Sequence, residues 1–378
     1  MVRKRVLFII PSLEEGGAER VLVNLLGKID YNRYVVDLCV VENRGIFFNQ
    51  IPEQVRLITI FNSSLVCKIL VNLHIRFNIN RLYKWIVNRR ITGNYHVGIS
   101  FLDSSFTDIL FFLDNKITKR IAWVHSGYQT YHNFGKFYQG AYKDRIIQNR
   151  YSKLDHIVFV SNDSRQEFES IFTCKTLKSV IYNVLDTEKI CKLSDYPIDE
   201  KFDDSIINII ALGVLLPVKG YDLLINAALL LKNDDLKFKI RILGNGFLEH
   251  ELLSKIESLD LEDFVELKGF HINPYPFLKQ SDIFVMTSLS EGLPTALGEA
   301  MILGLPVVVT DCSGCRELVA EGQYGMMTNK TAEGIYHGLR TMINNSELRS
   351  FYKQKSRERA EIFDDDAIME KVYSVMDN

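Results

Sequence analysis

The 378-residue chain lacks any hydrophobic run long enough to cross a membrane, since a spanning helix needs about 20 mostly apolar residues. Its first apolar run, residues 6–10, stops at Pro11. That run is shorter than the core of a signal peptide, which takes about 7–15 residues. It favours a first buried strand instead. We therefore expect a protein that is made and kept in the cytoplasm.

Cysteine is scarce, with six residues scattered through the chain. This spacing does not favour a disulfide framework. Cys312 and Cys315 form one C-x-x-C, but a zinc site needs about four ligands, and neither a second C-x-x-C nor an H-x₃-H is present. The pair is interpreted as small residues in a loop.

No excess of either charge marks the whole chain, because 45 basic residues face 47 acidic ones. Nothing in this balance favours a nucleic-acid partner. Acidic residues are, however, absent between Glu53 and Asp103. Residues 67–91 of this gap mix basic and apolar side chains with one tryptophan, a pattern that suits an anionic membrane surface or a core helix with a solvated basic face. The basic residues of the gap are Arg56, Lys68, Arg76, Arg81, Lys84, Arg89 and Arg90.

Short apolar runs alternate with helix-like segments along most of the chain. Runs without polar alternation are typical of strands buried on both faces, as in a parallel sheet. The runs are residues 6–10, 35–41, 55–60, 97–101, 120–124 and 157–160, and then 206–212, 238–243, 264–267, 283–286 and 306–309. The polar stretch 183–205 between the two groups is predicted to be an irregular linker, and residues 364–376 to be an amphipathic helix. We predict two doubly wound α/β domains.

Two turns that follow predicted strands carry candidate ligand-binding residues, glycines in one and acids in the other. Gly16 and Gly17 follow the first strand, where glycine allows a close backbone approach and the next helix offers free N–H groups to an anion. Glu291 and Glu299 follow the strand at 283–286, with Pro294 suited to the first helical turn. Ligands of open α/β sheets bind at this edge. Two carboxylates placed there can hold hydroxyl groups of a sugar and a ribose.

The spacing of Glu291 and Glu299 resembles the E-x₇-E signature of the retaining glycosyltransferase family 4, which has the GT-B fold. Other stretches resemble family motifs in the same order. They are residues 16–20 (GGAER), 183–186 (NVLD), 213–220 (GVLLPVKG), 244–246 (GNG) and 311–317 (DCSGCRE). The resemblance covers essentially the whole chain. It implies two Rossmann-like domains facing a cleft, residues 1–185 and 186–361, with residues 362–378 returning to the first.

The same resemblance implies roles for individual residues. Glu299 would bind the ribose hydroxyls, Glu291 would face the donor sugar near its anomeric carbon, and Lys219 would neutralise the diphosphate. His125 matches a histidine that lines the cleft near the sugar. The backbone contacts with the sugar and phosphates would come from Gly16, Gly17, Gly292, Leu293, Pro294 and Thr295.

One position departs from the family pattern, since Val214 stands where the phosphate motif carries arginine. A lost guanidinium removes a charge-assisted contact of about 1.5–3 kcal/mol. Either another cation, such as Arg20 or Arg316, supplies the missing charge, or the donor binds weakly; an impaired enzyme and an unusual donor are further alternatives. No Asp-x-Asp pair follows a strand where it could hold a metal, so we expect no metal and no cofactor beside the nucleotide-sugar co-substrate.

The acceptor side is expected in the first domain. Residues 127–140 are predicted to form an aromatic-rich loop there, which suits either stacking on sugars or a lid packed on itself. Together with the basic segment 67–91 this predicts a saccharide or lipid-linked saccharide acceptor, met at the inner face of the cytoplasmic membrane during surface polysaccharide synthesis.

The predicted reaction is transfer, with retention, of a hexose or N-acetylhexosamine from a nucleotide-sugar, with UDP as the nucleotide by resemblance. The alternatives are a GT-B-like nucleotide-sugar epimerase or hydrolase, and an inactive homologue that acts as a binding subunit.

Overall fold

Two units, each with its own sheet, make up the computed structural model, which describes residues 3–127, 141–198 and 200–378. The first unit comprises Met1–Val184 and Asp366–Asn378, and the second comprises Leu185–Asp365. Among the described residues, no helix has the length and apolar character that crossing a bilayer requires.

The first unit is built on a parallel sheet whose described strands follow the order β3-β2-β1-β4-β5-β6-β7. Its strands are β1 (Lys4–Ile10), β2 (Tyr34–Glu42), β3 (Arg56–Phe61), β4 (Tyr95–Ser100), β5 (Ile117–Val124), β6 (His156–Phe159) and β7 (Leu177–Val180). Its helices up to this point are α1 (Gly17–Lys28), α2 (Ser64–Phe77), α3 (Arg81–Arg90), α4 (Ile109–Phe112), α5 (Ala141–Tyr151) and α6 (Asn162–Ile171). The central strands are mostly apolar and buried towards their carboxyl ends, because helices cover both faces of such a sheet.

The second unit repeats this plan with a parallel sheet in the order β10-β9-β8-β11-β12-β13. Its strands are β8 (Ile207–Leu212), β9 (Phe238–Leu243), β10 (Val265–Gly269), β11 (Ile283–Met286), β12 (Val307–Thr310) and β13 (Met326–Thr328). Its helices are α7 (Thr187–Ser194), α8 (Tyr221–Asn233), α9 (Glu249–Ser258), α10 (Tyr275–Gln280), α11 (Thr295–Ile302), α12 (Ser313–Val319), α13 (Ala332–Asn344) and α14 (Ser346–Ala360). The predicted fold class of two doubly wound parallel sheets is confirmed.

The strand order reverses once in each sheet, between β1 and β4 in the first unit and between β8 and β11 in the second. At such a switch point the connections leave to opposite faces, which opens a crevice at the carboxyl ends of the two strands. In the second unit these ends lead into Gly213 and Thr287. The fold therefore places the turn that carries Gly213 and Lys219 beside the acidic turn that carries Glu291.

The last helix, α15 (Asp365–Asp377), packs on the first unit, as the sequence predicts. The Tyr373 ring stacks on Tyr34 with the centroids 5.5 Å apart. Arg33 Nη2 lies 2.5 Å from Asp377 Oδ2. Aromatic stacking and an ion pair thus hold the carboxyl-terminal helix against the strand β2.

The prediction of an irregular linker over residues 183–205 is wrong in part, because residues Thr187–Ser194 form α7. Asp186 begins this helix with φ of 60°, and its carboxylate accepts a hydrogen bond from the Lys189 N–H. The polar composition of the stretch reflects a capped surface helix as well as turns.

The basic segment 67–91 forms two helices, α2 and α3, separated by Asn78 in a left-handed conformation with φ of 54°. A mostly buried cluster of polar side chains connects α2 to the rest of the first unit. Asp108 Oδ2 lies 2.9 Å from His74 Nε2, and Arg150 binds both oxygens of Asp108 at 2.7 and 2.8 Å. Burial by itself raises the pKa of Asp108, but the hydrogen bonds from Arg150 and His74 outweigh burial and lower the pKa to about 2.

We expect Asp108→Asn to lower the free energy of unfolding by about 2–3 kcal/mol at neutral pH, because it removes the carboxylate whose ionised form His74 and Arg150 stabilise. Since the folded-state pKa lies below the unfolded value near 3.8, this stabilisation is complete above pH 4 and is lost as the pH falls towards about 2. Urea denaturation across this pH range measures both effects.

The matched control is Asp114→Asn, which removes an exposed acid 3.5 Å from Arg120 and should change stability little. Equal losses in the two variants would contradict the anchoring role of Asp108.

Candidate active site

The loops that follow β8 and β11 are hydrogen-bonded to each other. The Leu289 N–H donates to the Val218 carbonyl at 2.7 Å, and the Thr287 hydroxyl donates to the Lys219 carbonyl at 2.8 Å. Thr310, at the end of β12, binds the Ser288 carbonyl through its hydroxyl at 2.5 Å. Neighbouring strand ends therefore hold the acidic turn in one conformation.

Lys219 and Glu291 meet at this edge of the sheet. The Lys219 ammonium lies 2.7 Å from Glu291 Oε1, and the Ser288 hydroxyl donates to the same oxygen at 2.6 Å. The two side chains are 21% and 13% exposed. Both of these hydrogen bonds go to Oε1 of Glu291, and no described residue donates a hydrogen bond to Oε2. The site thus combines a cation with a carboxylate whose second oxygen faces no internal donor.

The charge of Lys219 is maintained by its partner. Burial disfavours the ammonium form, but the Glu291 carboxylate outweighs burial and raises the pKa of Lys219 above its usual value. Lys219 is therefore a permanent cation at physiological pH. It can attract a further anion, such as a phosphate.

The helix α11 begins immediately after this turn, with Pro294 as the residue before its first turn. The first N–H groups of a helix have no acceptor within the helix and favour anions. Leu293 is buried at the start of this helix, and Gly314, from α12, donates its N–H to the Glu291 carbonyl at 3.3 Å. The residues predicted to contact the donor through their backbones directly follow Glu291 and lead into α11. They are Gly292, Leu293, Pro294 and Thr295.

Glu299 lies within α11 and is only 3% exposed. Its Oε1 accepts a hydrogen bond from the Tyr275 hydroxyl at 3.2 Å. The carboxylate is therefore positioned by a neighbouring helix rather than free on the surface, and it belongs to the same unit as Glu291.

In the first unit, Gly16 and Gly17 form the start of α1, as predicted. The Glu19 carboxylate folds back over Gly16, where a Cβ atom would lie 1.9 Å from Glu19 Oε2. A side chain at position 16 would therefore require the Glu19 carboxylate to move. Burial, opposed by the hydrogen bond from its own backbone and reinforced by Glu14, raises the pKa of Glu19 to about 7.

His125 follows β5, at the carboxyl edge of the first sheet. Its ring lies 4.9 Å from that of Phe101, and its backbone N–H donates to Asp103 at 3.3 Å. Burial lowers the pKa of His125 to about 3, although a backbone hydrogen bond at Phe101 opposes the shift. The imidazole is therefore neutral at physiological pH, and its Nε2 is buried without a hydrogen-bond partner among the described residues.

The two cations considered as replacements for the arginine lost at Val214 have different surroundings. Arg316 lies 2.5 Å from Asp311, so its charge is already paired. Arg20 lies with its guanidinium 5.6 Å from the centre of the Phe47 ring. Lys219 is the cation that the structure places at the acidic turn.

Three contacts were missed by sequence reasoning: that of Glu19 with Gly16 in the first unit, and those of Tyr275 and Ser288 with the two glutamates in the second. Glu19 is the third residue of α1, where an acid often caps a helix, and this signal was available. Tyr275 and Ser288 carried no pattern that distinguishes them. The interpretation of Cys312 and Cys315 as loop residues is wrong for Cys315, which lies buried in α12.

The aromatic-rich loop 127–140 falls outside the described residues except for Gly127. Within the described part of the chain, no group of three or more histidine, cysteine, aspartate or glutamate side chains could hold a metal ion.

Gly220, next to Lys219, has φ of 64°, and a Cβ atom there would lie 2.2 Å from the Thr287 carbonyl oxygen. We expect Gly220→Ala to lower the free energy of unfolding by about 2–4 kcal/mol, because a left-handed conformation and a backbone clash both oppose the side chain. Chemical denaturation measures the loss.

The matched control is Gly27→Ala, since nothing lies within 4 Å of a Cβ atom at that helical position. That change should raise stability by up to about 1 kcal/mol. A Gly220→Ala protein as stable as the parent would contradict the close approach of the two loops.

Comparisons with known proteins agree with this geometry. Residues 15–189 match the family model described as Glycosyltransferase Family 4, and residues 197–359 match the one described as Glycosyl transferases group 1. One relative, from Campylobacter jejuni, is 35% identical over 224 residues, which are 58% of this chain and 59% of the relative. Its name is N-acetylgalactosamine-N,N'-diacetylbacillosaminyl-diphospho-undecaprenol 4-alpha-N-acetylgalactosaminyltransferase. The chain thus spans about three fifths of the length of that relative.

Two solved structures share the fold over nearly the whole length. Anabaena HepE, in complex with UDP and glucose, has a TM-score of 0.75 at 18% identity, covering 99% of each chain. A glycosyltransferase from Rickettsia africae has a TM-score of 0.72 at 16% identity, covering 100% of this chain and 98% of its own. Because the two family models together span most of the sequence and the paired parallel sheets agree with them, the chain belongs to the GT-B glycosyltransferases of family 4 type.

Proposed function

We propose that the protein transfers a hexose or N-acetylhexosamine from a UDP-sugar to a saccharide or lipid-linked saccharide, with retention of configuration and without a metal ion. The observation that carries the proposal is the Lys219–Glu291 pair at the switch point of the second sheet, beside the start of α11. A cation, helix N–H groups and a carboxylate at one sheet edge suit a sugar diphosphate.

Charge development explains why these groups favour transfer. As the bond between the sugar and the phosphate breaks, negative charge grows on the nucleotide diphosphate and positive charge grows on the anomeric carbon. Lys219 and the N–H groups at the start of α11 stabilise the first charge. In the first unit, the start of α1 at Gly16 and Gly17 is a second helix start whose N–H groups suit an anion.

The two carboxylates divide the recognition of the donor. Glu299, oriented by the Tyr275 hydroxyl, accepts hydrogen bonds from the ribose. Glu291 offers Oε2 to the sugar and stabilises positive charge near the anomeric carbon. His125, which is neutral at physiological pH, hydrogen-bonds the sugar without adding charge.

Retention by attack on the same face of the sugar is favoured over a covalent intermediate. The Glu291 carboxylate is held by the Lys219 ammonium and the Ser288 hydroxyl, and both contacts reduce its nucleophilicity. The leaving phosphate then accepts the proton of the acceptor hydroxyl, so that the step needs no separate base.

The substrate assignments draw on the relatives. The structural neighbour HepE binds UDP and glucose, and the Campylobacter relative is named for a transfer to an undecaprenol diphosphate-linked saccharide. We therefore place this protein in surface polysaccharide synthesis, on the inner face of the cytoplasmic membrane, where such lipid-linked saccharides are assembled.

Two substitutions should separate binding from transfer. Lys219→Ala should weaken UDP binding by about 10- to 100-fold, because it removes a charge-assisted contact of about 1.5–3 kcal/mol. Glu291→Ala should leave UDP binding equal or tighter, since it removes a competing anion from Lys219, yet it should abolish most sugar transfer. Thermal shift with UDP and mass analysis of lipid-linked acceptors measure the two effects.

Lys237→Ala, which alters an exposed lysine of the same unit, is the control and should change neither property. UDP binding that is unaffected by Lys219→Ala would contradict the proposed site. Donor turnover without an acceptor would favour an epimerase or hydrolase, and UDP binding without any turnover would favour an inactive binding subunit.

Transfer should proceed at the same rate in the presence of excess EDTA and of Mg²⁺, because Lys219 and helix N–H groups take the place of a divalent cation. Initial rates with each addition test this expectation. A rate that falls with EDTA and recovers with Mg²⁺ or Mn²⁺ would refute metal independence.

A further inference from the structure

The helices α2 and α3 expose large apolar side chains to solvent. Phe77 and Leu65 are 67% and 68% exposed, and Ile79, Leu82 and Trp85 are all more than half exposed. Apolar side chains clustered in this way mark an interaction surface rather than an ordinary solvated face. The exposed apolar residues of these helices and the turn between them are Leu65, Val66, Ile69, Ile75, Phe77, Ile79, Leu82 and Trp85. They are called the α2–α3 surface below.

A separate set of side chains attaches these helices to the core. Cys67 and Leu70 of α2 and Tyr83 and Val87 of α3 are all buried in the first unit. The α2–α3 surface is therefore not needed for packing within the unit. Its exposure requires another explanation.

The charged side chains on α2 and α3 themselves are all basic. The basic side chains are exposed, no ion pair links them to any described residue, and the sequence has no acid between Glu53 and Asp103. Arg56, by contrast, is paired with the buried Asp37. Arg89 lies with its guanidinium 5.4 Å from the centre of the Trp85 ring. The unpaired basic residues are Lys68, Arg76, Arg81, Lys84, Arg89 and Arg90.

We propose that the α2–α3 surface docks on an anionic lipid bilayer, with its apolar side chains in the headgroup region and its basic residues against the lipid phosphates. Apolar residues surrounded by Lys and Arg, with a tryptophan among them, match such an interface. A second copy of the chain is a poor occupant, because it would bring six further positive charges against the same six.

The anchor beneath the surface suits this role. His74 and Arg150 bind Asp108 behind α2, so the exposed face is carried by a helix that the core fixes in place. A rigid apolar face needs no folding upon contact with lipid and binds with a smaller loss of conformational entropy.

The inference rests on the proposed function, because docking on the bilayer would bring the enzyme to a lipid-linked acceptor. Vesicle binding and UDP binding are measured separately. A parent protein that does not bind UDP would therefore refute the proposed function, whereas the vesicle experiment would still test the docking proposal.

The test is co-sedimentation with vesicles of phosphatidylcholine alone and of phosphatidylcholine mixed with phosphatidylglycerol. The parent protein should bind the mixed vesicles, and salt should weaken the binding. Replacing Arg76, Arg81, Arg89 and Arg90 with glutamine should reduce binding to mixed vesicles by at least about 100-fold, since each cation near an anionic surface contributes about fivefold.

Phe77→Ser combined with Trp85→Ser should reduce binding by at least about tenfold while leaving thermal stability unchanged, because both side chains are exposed. Leu177→Ser with Phe351→Ser removes exposed apolar side chains elsewhere and is the matched control. Lys153→Gln with Lys175→Gln is the control for charge. Both controls should bind like the parent.

Three outcomes would overturn the proposal. They are a parent protein that stays in the supernatant with mixed vesicles, a four-charge variant that binds them unchanged, and a parent that is dimeric in solution while the Phe77→Ser, Trp85→Ser variant is monomeric. The last result would identify the α2–α3 surface as a subunit interface.

Discussion

The ion pair between Lys219 and Glu291 is the interaction on which the candidate active site depends. Each side chain is mostly removed from water, and each would be costly to keep charged there without the other. The pair also joins two chain segments that are 72 residues apart in sequence. A cation, a carboxylate and a helix start are thereby held at one sheet edge before any ligand arrives.

The parallel sheets explain why these groups come together. In this doubly wound sheet, β8 and β11 are neighbours although β9 and β10 lie between them in the sequence, because the chain changes direction across the sheet. Their carboxyl ends carry the Lys219 and Glu291 turns, which are then locked by hydrogen bonds from Leu289, Thr287 and Thr310. In the first sheet, Gly16 follows β1 at the switch point, whereas His125 follows β5, which lies one strand beyond β4.

The two sides of α2 differ in charge. The exposed side of α2 and α3 carries basic residues and no acids, whereas Asp108 lies beneath α2, bound to His74 and Arg150. The mostly buried Asp108 is stabilised by its two partners. The outer cations form no ion pair with a described residue, which is the observation behind the docking proposal.

The fold class and the positions of the site turns were predictable from sequence, because apolar runs, glycine turns and the Glu291–Glu299 spacing are local properties of the chain. The sequence also showed the absence of acids around residues 67–91. It did not distinguish which apolar residues there are buried, so Leu70 and Leu82 looked alike.

Tertiary structure alone decided that Leu70 is buried and Leu82 exposed, that Tyr275 positions Glu299, and that Asp108 anchors α2. It also decided that Glu291 accepts hydrogen bonds from both Lys219 and Ser288. Side-chain burial and pairing depend on residues that lie far apart in the chain and meet only when strands and helices pack. Local sequence patterns therefore determined the elements and their order, whereas the contacts that set charge and exposure arose from packing.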